Sequence, residues 1–134
     1  MSYVADTHAV LWYLFPGTRS LGSDARRVFT QCEAGTEQIV IPAAVLAEMI
    51  AIVERGRLPD ATVPALLSVI HTMQSGRNYR FLSLRPQTIL ASHQLTTISE
   101  IFDRLIGADA LRLGFPIITR DQQIVGSGIV RTLW

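Results

Sequence analysis

Four carboxylates stand where an acid is hard to explain as ordinary surface. Asp6 directly follows the apolar run Tyr3-Val4-Ala5, and Asp121 comes two residues after Ile117-Ile118-Thr119. Glu48 is the only charge between Ala43 and Ile52, a stretch otherwise built from Ala, Val, Leu, Met and Ile. Ionised groups are rarely buried unless they are paired or bound to a cation. Asp103 falls in the first or second turn of a helical stretch in which Gly107 and Ala110 share its face, a small-residue stripe expected to let the helix lie close to the sheet. Gathered at one rim, such acids repel. Two unit charges ~4 Å apart cost about 4 kcal/mol at an effective dielectric near 20. The arrangement is sensible if a cation neutralises it or if some acids stay protonated. An all-oxygen donor set suits a hard divalent ion, Mg²⁺ or Mn²⁺. No pair of histidines has the spacing expected for zinc.

Each acid also has a plain alternative. Asp6 could cap the first helix, Asp103 could answer its helix dipole, and Asp121 could be a turn residue. Glu48 is the hardest to explain that way. Asp6, Glu48 and Asp103 are the expected direct metal ligands, with Asp121 as a supporting one acting through water. Thr119 offers a hydroxyl at a strand end that could orient Asp6 or a metal-bound water, or it could be an ordinary strand threonine. Arg104 could contact a phosphate backbone, though pairing with Glu100 is the preferred reading; Asp109 is read as solvent-facing or paired with Arg112, and His8 as a helix-start residue that could also reach the site rim. His71 and His93 read as isolated residues at or near the surface. Arg55, Arg57, Arg77, Arg80 and Arg85 are candidates for gripping a phosphate backbone or an acidic partner.

The elements that must position these residues alternate short apolar runs with amphipathic stretches, as α/β folds do. Strands are expected at Tyr3–Ala5, Gln38–Ile41, Tyr79–Leu84, Ile117–Thr119 and, at an edge, Ile129–Leu133. Helices are expected over Thr7–Phe15, from Ser23 or Asp24 to about Ala34, from Pro42 to Glu54, from an Asp60 cap to Gln74, from Pro86 to His93, and from a Thr97 or Ser99 cap to Leu113. Strands separated by helices imply right-handed crossovers and a mostly parallel sheet covered on both faces. Ligands then bind beyond the carboxyl ends of the strands, where strand order reverses. Asp6 and Asp121 reach that rim together if their strands are neighbours.

Composition limits the class. The 134 residues suit one compact domain, 1–134, with no repeat or linker to divide it. An apolar share of 49% excludes a disordered chain and leaves surface for a partner or a second copy, with Thr7–Phe15 and Ala43–Val53 as the expected sources. The single Cys32 excludes an internal disulfide and suits a reducing cytoplasm. The N-terminus has no basic segment followed by a long apolar one, so neither a signal peptide nor a membrane span is expected. The net charge of +1 does not by itself indicate nucleic acid and gives only a weak overall field, so any such contact must come from local clusters. All twelve basic residues are arginine, the better bidentate partner for phosphate, although biased codon usage would produce the same composition.

Four segments carry a resemblance. Tyr3-Val4-Ala5-Asp6-Thr7-His8-Ala9-Val10-Leu11-Trp12, Ala47-Glu48-Met49, Phe102-Asp103-Arg104-Leu105-Ile106-Gly107-Ala108-Asp109-Ala110 and Ile117-Ile118-Thr119-Arg120-Asp121 resemble, in order and spacing, the four acidic motifs of PIN-domain nucleases. The similarity is greatest to the VapC toxins of type II toxin–antitoxin systems. The stretch Thr96-Thr97-Ile98-Ser99-Glu100-Ile101 departs from close relatives, which often carry a His and an Asp-Pro there. That difference bears on subgroup and on the loop's substrate preference, and leaves the four acids untouched. The resemblance implies a three-layer α/β/α PIN-like fold with roughly five strands. It also implies Mg²⁺- or Mn²⁺-dependent endoribonuclease activity on RNA, a homodimer, and a small VapB-like antitoxin as partner. A degenerate metal-binding or protein-interaction domain without nuclease activity is the alternative. A phosphotransferase with Asp6 as nucleophile fits less well, because His8 stands where that pattern wants a second Asp.

Overall fold

The computed structural model describes residues 1–17 and 19–134. Among them the chain forms β1 (Ser2–Ala5), α1 (Thr7–Leu14), α2 (Ser23–Glu33), β2 (Gln38–Pro42), α3 (Ala43–Glu54), α4 (Val63–Ser75), β3 (Tyr79–Leu82), α5 (Pro86–Ser92), α6 (Ile101–Leu113), β4 (Ile117–Ile118), α7 (Gln122–Ser127) and β5 (Thr132–Leu133). The five strands pair in the order β3-β2-β1-β4-β5, and every pairing is parallel. Ile39, Val40 and Ile41 are all fully buried. Successive strand residues point to opposite faces, so both faces of the sheet are covered and the fold is a three-layer α/β/α sandwich.

From β1 the chain builds outward through β2 and β3, then returns to place β4 and β5 on the other side. The order therefore reverses between β1 and β4, which pair through Val4–Ile117 and Ala5–Ile118. One more backbone bond, from Asp6 N–H to the Ile118 carbonyl at 3.1 Å, carries the pairing past the end of β1. The crevice at the carboxyl ends of these two strands thus opens directly onto Asp6 and Asp121. On the helical side, α3 packs against both α1 and α6.

Several local expectations are corrected. The helix expected from an Asp60 cap begins later: Thr62 caps α4 by accepting from Ala65 N–H at 3.2 Å, and Pro64, which needs no amide partner there, sits in its first turn. Neither Thr97 nor Ser99 caps α6. Its cap position is Glu100, without a side-chain bond, while Ser99 donates through N–H and Oγ to Gln123 at 2.8 and 2.9 Å. Strands β3 and β5 are shorter than their apolar runs, and α7 was not expected. Gly107 does serve close packing, but against side chains instead of the sheet: a Cβ there would stand 2.8 Å from Ile129 Cδ1 and 3.2 Å from Leu95 Cδ1. The apolar residues of α1 are spent on the core, where Ala9, Val10, Leu11 and Trp12 are buried. Large exposed apolar side chains lie elsewhere, at Leu67, Ile89, Leu90 and Leu111 among others.

Candidate metal centre

Asp6 is fixed from both sides. As the cap of α1, its Oδ1 accepts from Ala9 N–H at 2.8 Å. Its Oδ2 accepts from Thr119 Oγ1, at the end of β4. The Thr119 oxygen in turn accepts from Asp121 N–H at 3.0 Å, so one hydroxyl ties the turn after β4 to the acid after β1. Asp121 caps α7, its Oδ1 accepting from Gln123 and Ile124 N–H at 2.9 and 3.0 Å. The cap and site readings of these two acids are therefore compatible, because each carboxylate keeps unused lone pairs.

Glu48 reaches the rim from α3, where Thr7 Oγ1 donates to its Oε2 at 2.7 Å. Asp103 comes from the first turn of α6. A cleft of about 790 Å³ is lined by Glu48, Asp103 and Asp121 together with Glu100, Arg55 and Arg57, and Leu11, Ala51, Ile52 and Leu58 give it an apolar wall. A smaller hollow of about 560 Å³ shares Asp103 and Asp121 with it and adds Asp6. The structure thus brings all four predicted acids and Thr119 to one rim. Of the arginines singled out from the sequence, Arg55 and Arg57 line this cleft; Arg77 lies at the opposite end beside Met1 and Glu37.

The electrostatics match the crowding. Asp103 is pushed up to about 7, first by burial and then by the charges of Glu48, Asp121, Asp6 and Glu100. Asp6 rises to about 6 because burial outweighs the bonds from Thr119 and Ala9. The ion pairs among the described residues, Met1–Glu37, Arg27–Asp24 and Arg112–Asp109, involve none of the four acids. Among the described residues no three acidic, histidine or cysteine side chains already stand at coordination spacing. The donor chemistry and the uncompensated charge suit a hard divalent cation; the side chains would have to close on it.

The neighbouring residues divide between their alternatives. His8 takes the rim position that its place beside Asp6 allowed: it lies exposed on the cleft wall, and its charge acts to lower the Asp6 pKa. Arg104 makes no ion pair with Glu100 among the described residues; from α6 its Nε donates to the Ile98 carbonyl in the segment before the helix. Asp109 is fully buried, not solvent-facing, and pairs with Arg112 as the spacing allowed. His71 and His93 are exposed and away from the cleft. Arg19 and Arg120 were not singled out from the sequence, yet both line this region. Arg120 sits between Thr119 and Asp121, which was the available signal.

The PIN domain family model matches residues 3–125, and the chain belongs to that family. Its fold is similar to VapBC2 from Rickettsia felis, solved bound to a DNA fragment from its promoter, with TM-score 0.72 and 13% identity over 100% of this chain and 99% of that one. It is similar to FitAcB from Neisseria gonorrhoeae, with TM-score 0.62 and 14% identity over 98% and 96%. It is also similar to PAE2754 from Pyrobaculum aerophilum, with TM-score 0.57 and 13% identity over 98% and 92%. Comparison by sequence with curated proteins returns no match. No helix among the described residues is long and apolar enough to cross a membrane.

Proposed function

We propose that the chain, acting as a single PIN domain over 1–134, is a Mg²⁺- or Mn²⁺-dependent endoribonuclease and the toxin of a VapBC-type pair. The observation that carries this is the meeting of Asp6, Glu48, Asp103 and Asp121 at one rim, where none of them has an ion-pair partner among the described residues. Family membership supports it, since PIN domains are generally nucleases. Asp6, Glu48 and Asp103 hold the metal directly, and Asp121 supports them. A bound divalent ion supplies an activated water and stabilises charge on a scissile phosphate.

The protein's own part is positioning. Thr119 holds Asp6 in one rotamer by its hydrogen bond, and Thr7 does the same for Glu48. That fixed orientation lowers the cost of gathering like charges around an ion. Glu100 adds negative charge beside Asp103 and helps raise its pKa, and His8 lines the entrance.

The partner is a small antitoxin. The structural relatives VapBC2 and FitAcB support this reading, as does the apolar wall of Ala51, Ile52 and Leu58 beside the acids, which offers a seat for a segment carrying apolar and arginine side chains. The chain acts as a homodimer, for which the exposed Ile89, Leu90 and Leu111 provide unpartnered apolar surface. Cleavage of labelled RNA with Mn²⁺, abolished by EDTA and by Asp6→Asn, is the test. Full activity of a clean Asp6→Asn preparation would refute the assignment.

A further inference from the structure

Trp12 carries two cations. The Arg19 guanidinium carbon lies 5.5 Å from its ring centroid and that of Arg120 lies 5.3 Å away. The indole is itself held edge-on by Trp134 at 5.4 Å and meets His8 at 6.0 Å, and it is only 6% exposed. Both arginines are exposed. Both line the hollow that contains Asp6, Asp103 and Asp121, and neither makes an ion pair among the described residues. This is unusual company. Guanidinium groups beside several carboxylates ordinarily pair with them and cancel their charge. Here an aromatic ring holds the cations instead, at distances typical of cation–π attraction, so the acids stay free for metal and the arginines for an anion.

The geometry points to Arg19, Arg120 and Trp12 as a phosphate grip that seats the backbone of single-stranded RNA next to the metal centre. The reading rests on the nuclease assignment above and names how that site takes its substrate. Asp6 and Trp12 bracket most of α1, and six helical residues span about 9 Å. Trp12 lines the same hollow as Asp6 from further along α1, so its cations stand beside the acids, where a phosphate flanking the reacting one would pass. Arginine suits the task because its fork binds phosphate oxygens bidentately. Contacts to the backbone carry no base information, so the grip positions and does not select.

The test is the binding of a short labelled oligouridine to the Asp6→Asn protein, in which cleavage is silenced. Arg19→Gln, Arg120→Gln and the double variant change exposed positions, and melting curves check that they fold. Each lost phosphate contact should lower the slope of log affinity against log salt by about 0.7, and the double variant by about 1.4. Trp12→Phe should weaken affinity while leaving the charge unchanged, because phenylalanine is the poorer cation–π partner. Unchanged affinity and slope in the double variant would overturn the grip. So would loss of binding confined to a glutamate-rich peptide, which would assign the arginines to an acidic protein. The two readings separate cleanly: a chain that cleaves no RNA but shows the slope change loses the nuclease assignment and keeps the grip. Cleavage with an unchanged slope keeps the nuclease assignment and removes the grip.

Discussion

Asp103 and Asp109 lie six residues apart on one helix, and burial raises both above the ordinary carboxylate range. Their surroundings differ in sign. Asp109 is fully buried between α5 and α6, accepts from Thr88 Oγ1 at 3.1 Å, and meets the Arg112 guanidinium at 3.3 Å. Asp103 is half-buried, and the charges that shift it all come from acids: Glu48, Asp121, Asp6 and Glu100. A donor and a cation make a buried carboxylate part of the structure. Four like charges make it something the fold tolerates for another reason. Burial alone does not separate the two cases; the company does.

The largest effect that would sharpen this contrast is on activity. Asp103→Asn should lower RNA cleavage by about 10²–10³-fold, the scale of removing one preorganised electrostatic partner. Because it relieves repulsion, the metal-free protein should melt no lower than wild type. Asp109→Asn should leave cleavage close to wild type. Initial rates with labelled RNA and paired thermal melts read both, and equal loss of activity in the two variants would erase the distinction.

Stability reverses the ranking. Asp109→Ala removes the partner of a buried threonine hydroxyl and of Arg112, and should cost about 1–3 kcal/mol in urea denaturation. Asp103→Ala should cost much less, or stabilise. A large destabilisation by Asp103→Ala would mean that this acid also belongs to the scaffold.

The pH dependence follows from the same charges. Asp6 and Asp103 hold protons more tightly folded, near 6 and 7, than unfolded, near 3.8. Between those limits the folded state binds more protons, so the stability of the metal-free protein falls as pH rises through that window. Buried Asp6 accounts for about 3 kcal/mol of that fall, and Asp103 adds a smaller part once its solvent-facing side is discounted. Added Mg²⁺ should restore stability most at the upper end, where both acids are charged. Denaturation across pH 4 to 8, with and without the metal, measures this, and a flat metal-free profile would contradict the crowding of the acids.

Much of this was legible in the sequence because it rests on local pattern. An apolar run ending in Asp6, a lone Glu48 in an apolar helix and the order of strands and helices all survive without knowledge of distant contacts. The missing parts depend on contacts across the chain. The burial of Asp109 is decided by Thr88, on another helix, and no spacing within α6 reveals it. Helix α7 is six residues long, too short for periodicity; only its Asp121 cap and the left-handed Gly128 at its end mark it. Thr119 could be an orienting residue or an ordinary strand threonine until the pairing of β1 with β4 put its hydroxyl on Asp6. Arg19 and Arg120 meet only through Trp12, a contact between segments about a hundred residues apart in the sequence.

The smallest effect is the most discriminating about Asp109. Arg112 is 34% exposed, so solvent screens its pair, and Arg112→Ala should cost under about 1 kcal/mol near neutral pH. If the arginine matters by matching the charge of Asp109, that cost must depend on pH. Arg112 lowers the Asp109 pKa, which burial raises. Removing it raises the pKa further, so the penalty exists only where the wild-type carboxylate is charged. At acid pH both proteins hold the proton and the penalty should shrink towards zero. Urea denaturation of the two proteins at acid and neutral pH compares these costs directly. A penalty that persists unchanged in acid would mean that Arg112 acts through the packing of its aliphatic stem, and Asp109 would then owe its place to Thr88 alone.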